Sequence, residues 1–370
     1  MKLCKILICL FLFLFAPMPV YAAEDTAAQY LEDLDLREID VATETYLEGT
    51  SFSDLLLDLI EGDISFSMKD CLQKLGEMAF GEIAKQKTLV IQLLMVTILA
   101  AVLRTVSHSF QGKEVGEMGF YVCYMVLVAI MITTFFEITE VVVSRVGQTA
   151  DLFGLMLPVF LALASSSGNL TQTALMGPAM MTGCTLIAFL MKAVIVPILL
   201  AAVALEMTDR LSEKAMVQRF AKLLKQGISW GMKGLAGGFM LLLSLQKIGG
   251  GVVNGLAVRT AKIAVNAVPV VGDVMGGAVD TAAAVAGTLR NGTMVVAVVV
   301  LILVCLPLLI KLVVMTLIFK LTAAVAESIC ETRLVECIGI AGEYTALLLG
   351  VVFLAEVMFL FSAILLLGVF

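Results

Sequence analysis

Histidine is all but missing from this chain. His108 is the only one among 370 residues, which removes most zinc, haem and histidine-dependent triad chemistry. Charge is scarce as well: 15% of the residues are Asp, Glu, Lys or Arg, against about 25% in a soluble domain. Cysteine shows no metal or disulfide spacing. Cys4 and Cys9 lie in the leader, and Cys71, Cys123, Cys184, Cys305, Cys330 and Cys337 are scattered without a CxxC pair. The run GTLRNGT from Gly287 to Thr293 lacks the lysine that a phosphate-binding loop places after its second glycine. No nucleophile stands in a pattern that supplies it with a base. The chain is therefore expected to be no enzyme and to need no cofactor or metal.

What is abundant is apolar surface. Hydrophobic residues make up 61% and the mean hydropathy is +1.04. A soluble fold of this length has no interior large enough for that surplus, so lipid must solvate part of it. The expected fold class is an all-α polytopic integral membrane protein. Residues 1–22 read as a signal peptide: Lys2 and Lys5, an apolar run from Ile6 to Phe15, the breakers Pro17 and Pro19, then Val20-Tyr21-Ala22 before a cleavage point at Ala23.

Residues 23–87 form an acidic helical domain expected outside the cytoplasm. Positions 24–87 hold 16 of the 31 acids, a poor match for nucleic acid. Ser53 is placed to cap a helix over Asp54–Glu61. A second helix is expected from about Met68 to Lys87, with Leu72, Leu75, Met78, Ala79 and Ile83 as its apolar stripe.

Residues 88–370 form the membrane domain. Hydrophobic spans are expected at about 88–106, 118–137, 176–205, 228–247, 293–319 and 345–369. Two further segments look interrupted: 150–168, with Pro158, and 265–290, with Pro269 and several glycines. Treating both as re-entrant leaves six transmembrane helices and puts the basic segment 206–227 inside. The chain also shows a possible internal duplication, 118–227 against 228–343. A shift of 110 residues lays Pro197 on Pro307 and Arg210-Leu211-Ser212 on Lys320-Leu321-Thr322, and a shift of 111 lays Pro158 on Pro269. Paired interrupted segments in two halves point to a transport pathway between them.

Three groups of residues stand out within this domain. Gly227, Gly231, Gly234 and Gly238 line one helical face, suited to close helix packing either within the subunit or between copies. Arg210, Lys214, Lys222 and Lys225 form the cationic side of an amphipathic helix, suited to the inner leaflet or to a cytoplasmic partner. Pro269, Gly272, Asp273, Asp280 and Asn291 mark a possible pore or re-entrant segment, since carboxylates at membrane depth face protein or water. They are equally compatible with acids on a surface loop. Lys192, Lys311 and Glu356 lie inside apolar spans, with no partner evident from the sequence.

Four runs carry a resemblance: SFSDLLLDLIEGDISFSMKD (51–70), RLSEKAMVQRFAKLLKQ (210–226), VRTAKIAVNAVPVVG (258–272) and AVDTAAAVAGTLRNG (278–292). Together with the leader and the order of spans, they resemble the stage III sporulation protein AE family. That resemblance implies a multi-pass protein of the mother-cell membrane, which becomes the outer forespore membrane of an endospore former. It implies membership of a transenvelope, secretion-like channel complex with the other products of the stage III sporulation operon, meeting the stage II sporulation protein Q assembly from the forespore side. It carries over no catalytic or ligand-binding residue. Two other functions are compatible with the residues themselves: an independent small-solute permease and a non-conducting assembly scaffold.

Overall fold

The computed structural model describes residues 36–47, 51–61, 68–109, 113–166, 170–210, 217–241 and 272–367, all helical apart from short connections. The leader, Lys214 and Pro269 lie outside them. The elements are α1 (Arg37–Tyr46), α2 (Phe52–Glu61), α3 (Met68–Lys85), α4 (Lys87–Ser109), α5 (Lys113–Ser166), α6 (Leu170–Leu190), a π-turn (Met191–Ile195), α7 (Val196–Asp209), α8 (218–241), α9 (Gly272–Glu327) and α10 (Thr332–Leu367).

Among the described residues, four helical stretches are long and apolar enough to cross a membrane: Met118–Leu163, Gly177–Asp209, Val295–Glu327 and Thr332–Ile364. A bent pair, Gln73–Lys85 with Lys87–Leu103 at 45°, makes a fifth if counted as one broken span. The described residues therefore hold four such spans, or up to five, where six were expected in the chain, and the one expected at 228–247 runs past residue 241, outside them. The expected span at 118–137 and the interrupted segment at 150–168 are one continuous helix. Pro158 does not break it, because its ring sits on the exposed side of α5. The buried side runs uninterrupted through Tyr124, Leu127, Met131, Phe135, Ile138, Val142, Val146, Phe153 and Phe160. These steps of three, four and seven residues form a helical stripe concealed in a sequence that is apolar nearly all round.

The glycines of 272–290 do not interrupt the chain either. Gly272 to Glu327 is a single helix that enters the bundle and includes Pro307. Spanning helices tolerate such residues because neighbouring groups satisfy what they free. Pro197 has a visible effect instead. It lacks the N–H that would bond the Ala193 carbonyl and crowds that oxygen. The wider π-turn at Met191–Ile195 sits directly before it and absorbs the mismatch.

α9 and α10 form an antiparallel hairpin, with Cys305 opposite Glu356 near the middle and Lys320 opposite Gly342 near the turn. The hairpin packs on α5, and α6, the π-turn and α7 complete the bundle. The Cys330 thiol at the hairpin turn donates to the Thr97 carbonyl of α4 at 2.9 Å. At the far end the short acidic helices dock onto the long ones, α1 on α5 and α2 on α9, where Leu56 lies over Gly292. α2 starts at Phe52, and Ser51, not Ser53, caps it through Asp54 N–H at 3.0 Å. Ser53 is held by Asp40 of α1, which accepts from its N–H at 2.8 Å and from its hydroxyl at 2.7 Å.

Candidate functional site

The bundle interior holds a carboxyl group. Glu356 is 2% exposed and sits where α5, α9 and α10 meet. Its Oε2 accepts from the Cys305 thiol at 2.6 Å, and its Oε1 accepts from the Thr149 hydroxyl at 3.4 Å. Each neighbouring helix thus contributes one donor. Around them the packing is apolar and aromatic: Phe153 lies 6.4 Å from Phe160 and 6.3 Å from Phe359, centroid to centroid. A carboxyl group inside apolar spans is costly and marks a functional site by default.

On the opposite side of α5 from Thr149 lies a cleft of about 480 Å³. Its α5 wall carries Ser144, Gln148 and Asp151, and its other wall carries Thr185, Phe189 and Lys192. Lys192 belongs to the π-turn, so the proline-induced widening sets the position of the only lysine on that wall. Arg145 steadies the first wall by donating to Gln148 at 3.2 Å. The cleft and the buried carboxyl therefore lie on the two faces of one helical turn, with Asp151 two residues beyond Thr149. The α5 helix itself separates the cleft from the buried acid.

A second polar cluster closes the other end of the bundle. Arg210 pairs with Glu336 at 2.6 Å and Lys225 with Glu343 at 2.7 Å, and the Lys225 ammonium also lies 5.0 Å over the Tyr344 ring. The Tyr344 hydroxyl donates to Glu206 at 2.7 Å, and the Tyr124 hydroxyl donates to the Met207 carbonyl at 2.7 Å. Asp209 accepts from the Val217 N–H at 2.8 Å, which anchors the segment after α7. Both ion pairs are partly exposed and contribute little individually, whereas the Glu206–Tyr344 bond is buried. Tyr344→Phe, which removes the donor and leaves Glu206 without it, is expected to cost about 1–3 kcal/mol. Thermal unfolding of the purified protein in detergent, compared with wild type, measures that loss.

The residues singled out from the sequence are distributed as follows. Arg210 and Lys225 turn toward α10 and are held by its glutamates, so the cationic helix grips its own bundle, while Lys222 remains exposed. Gly227, Gly231, Gly234 and Gly238 share the exposed side of α8, and a Cβ on any of them meets nothing within 4 Å. Among the described residues nothing packs against them. Gly272, Asp273, Asp280 and Asn291 lie on the first six turns of α9, continuous with the apolar part of that helix and not in a separate loop. Close helix packing falls to glycines that carried no stripe: Gly342, Gly177 and Gly119, each within 3.3 Å of a neighbouring side chain once a Cβ is added. Among the described residues no group of His, Cys, Asp and Glu is arranged to hold a metal ion.

These features define a polytopic, all-helical membrane protein with a polar centre between its long helices. The family model for stage III sporulation protein AE matches residues 50–369, and the chain belongs to that family. Stage III sporulation protein AE of Bacillus subtilis (strain 168) is 24% identical over 308 residues, covering 83% of this chain and 77% of that protein. No solved structure matches the chain. It is thus a membrane-embedded member of a sporulation-associated family.

Proposed function

We propose that this chain is a non-catalytic membrane subunit of a transenvelope channel complex required for endospore development. In this reading it sits in the mother-cell membrane, which becomes the outer forespore membrane. It assembles there with the other products of the stage III sporulation operon, and through them with stage II sporulation protein Q. Family membership over residues 50–369 carries the reading. The buried Glu356 supports it, because a carboxyl between apolar spans suits a conducting element better than a passive anchor. A clean deletion is expected to arrest forespore development after engulfment, with the intact gene restoring it. Normal spore numbers from the deletion strain overturn the proposal.

The cleft between α5 and the π-turn favours a second reading, an independent permease for a small solute. That reading expects the purified chain, reconstituted alone in vesicles, to take up a particular solute from a labelled panel. Inactivity alone, with permeability gained only when the operon partners are added, returns the decision to the complex.

A further inference from the structure

Two outward faces of the bundle carry charges that nothing among the described residues answers. On α5, Glu137 and Glu140 lie on the exposed side beside Phe136 and in line with Val122, within a helix apolar enough to span a membrane. On α8, Lys233 lies on the exposed side with Trp230, which is 68% exposed, and with the four glycines. None of these three charged residues joins an ion pair among the described residues. Hydrocarbon is a poor solvent for all of them, so each face calls for a protein or water neighbour.

The heights of these charges along the bundle can be compared through α10. Thr149 of α5 bonds Glu356, and Phe153 lies against Phe359, so α5 runs parallel to α10. Glu140, nine residues before Thr149, therefore stands level with about Leu347, nine before Glu356. Lys225 of α8 pairs with Glu343, and Met232 abuts Gly350, so α8 is parallel to α10 as well. Lys233 therefore stands level with Val351. The two heights differ by four residues, about 6 Å at the helical rise, within reach of a lysine side chain.

We propose that α5 of one copy binds α8 of a second copy, with Lys233 answering Glu140 across the seam. Copies in one membrane share orientation and depth, so every copy presents the cation at the height where its neighbour presents the acid. No other partner is guaranteed to meet that condition. The glycines let the second helix approach closely, and Trp230 supplies a large anchor beside them. The two faces are different surfaces of the subunit, so the contact is heterologous and propagates into a ring or an open chain. This goes beyond membership of a complex, because it assigns the chain a self-association and a seam.

The test uses the full chain in membranes, with two differently tagged copies co-expressed. Glu140→Lys throughout, or Lys233→Glu throughout, puts like charges at every contact and is expected to cut co-isolation of the tags about tenfold. Mixing copies that carry Glu140→Lys with copies that carry Lys233→Glu restores opposite charges at every alternating contact, and co-isolation is expected to return. A folding defect in either variant produces no such rescue. Glu140→Cys in one copy and Lys233→Cys in the other should also give a cross-linked species carrying both tags. Failure of the mixture to recover, with both variants at wild-type levels in the membrane, overturns the proposal. So does cross-linking of either position to a different protein in place of the second copy.

Discussion

Glu356→Ala is expected to cost about 3 kcal/mol, one of the largest losses available from a single side chain in this bundle. The substitution removes most of a buried side chain and leaves a cavity between three helices. It also strips the carboxylate acceptor from the Cys305 thiol, a weak donor, while the Thr149 hydroxyl keeps the Arg145 carbonyl at 3.1 Å. Glu356→Leu behaves differently. It loses the same Cys305 bond, but it fills nearly the same space with apolar atoms and removes a carboxyl that the interior solvates poorly, so stability should stay within about 1 kcal/mol of wild type. If the carboxyl serves passage through the complex, the leucine variant accumulates and folds normally yet fails to support spore formation. Thermal unfolding in detergent and spore titre, measured on both variants, separate the two roles. A leucine variant that sporulates like wild type reduces Glu356 to a clasp between helices.

Why Glu356 stood out in the sequence while its partners did not is a matter of distance along the chain. A glutamate inside an apolar span is visible at once. Cys305 and Thr149 lie 51 and 207 residues away, and nothing local distinguishes them from other small polar residues in spanning helices. The same holds at the basic end. The cationic pattern of 207–226 was legible, but the choice between lipid, partner and its own bundle depended on Glu336 and Glu343, more than a hundred residues downstream. The start of α3 at Met68 was also legible, because an apolar stripe begins there.

The count of spans was less legible, for a physical reason. Proline and glycine interrupt helices in water, and reading Pro158 and the glycines of 272–290 as breaks follows that rule. In α5 the ring of Pro158 faces outward and the buried stripe passes it unbroken, so the penalty is small enough for packing to override. The sequence also contained no sign of where the long helices bend or how far they extend past the bilayer. Met118–Leu163 is 46 residues long, more than twice the roughly 20 residues a membrane requires. Apolar windows of span length divided that helix into two elements where the structure has one.

Gly342→Leu is expected to destabilise the subunit by about 3 kcal/mol or more, at the upper end of overpacking effects. Gly342 stands where α10 packs tightly against α9. A Cβ there would meet Lys320 Cγ at 3.2 Å, Phe319 Cβ at 3.3 Å and the Lys320 backbone nitrogen at 3.6 Å. Phe319 is fully buried, and two of these atoms belong to the backbone or its first carbon, so a larger side chain forces the helices apart. Gly342→Ala needs only a few tenths of an ångström and should cost about 1 kcal/mol. The contrast with α8 is informative, because Gly231 has open space around it. Gly231→Leu should leave the melting temperature of the isolated subunit within a degree or two, since surface changes lie within about 0.5 kcal/mol. If α8 is the seam between copies, that same variant loses co-isolation of tagged copies while remaining folded. Gly342→Leu loses the folded subunit first, and with it every contact the subunit makes. The glycine stripe conspicuous in the sequence and the single glycine that was not conspicuous thus fail in opposite order, and melting followed by co-isolation on the two variants reads that order directly.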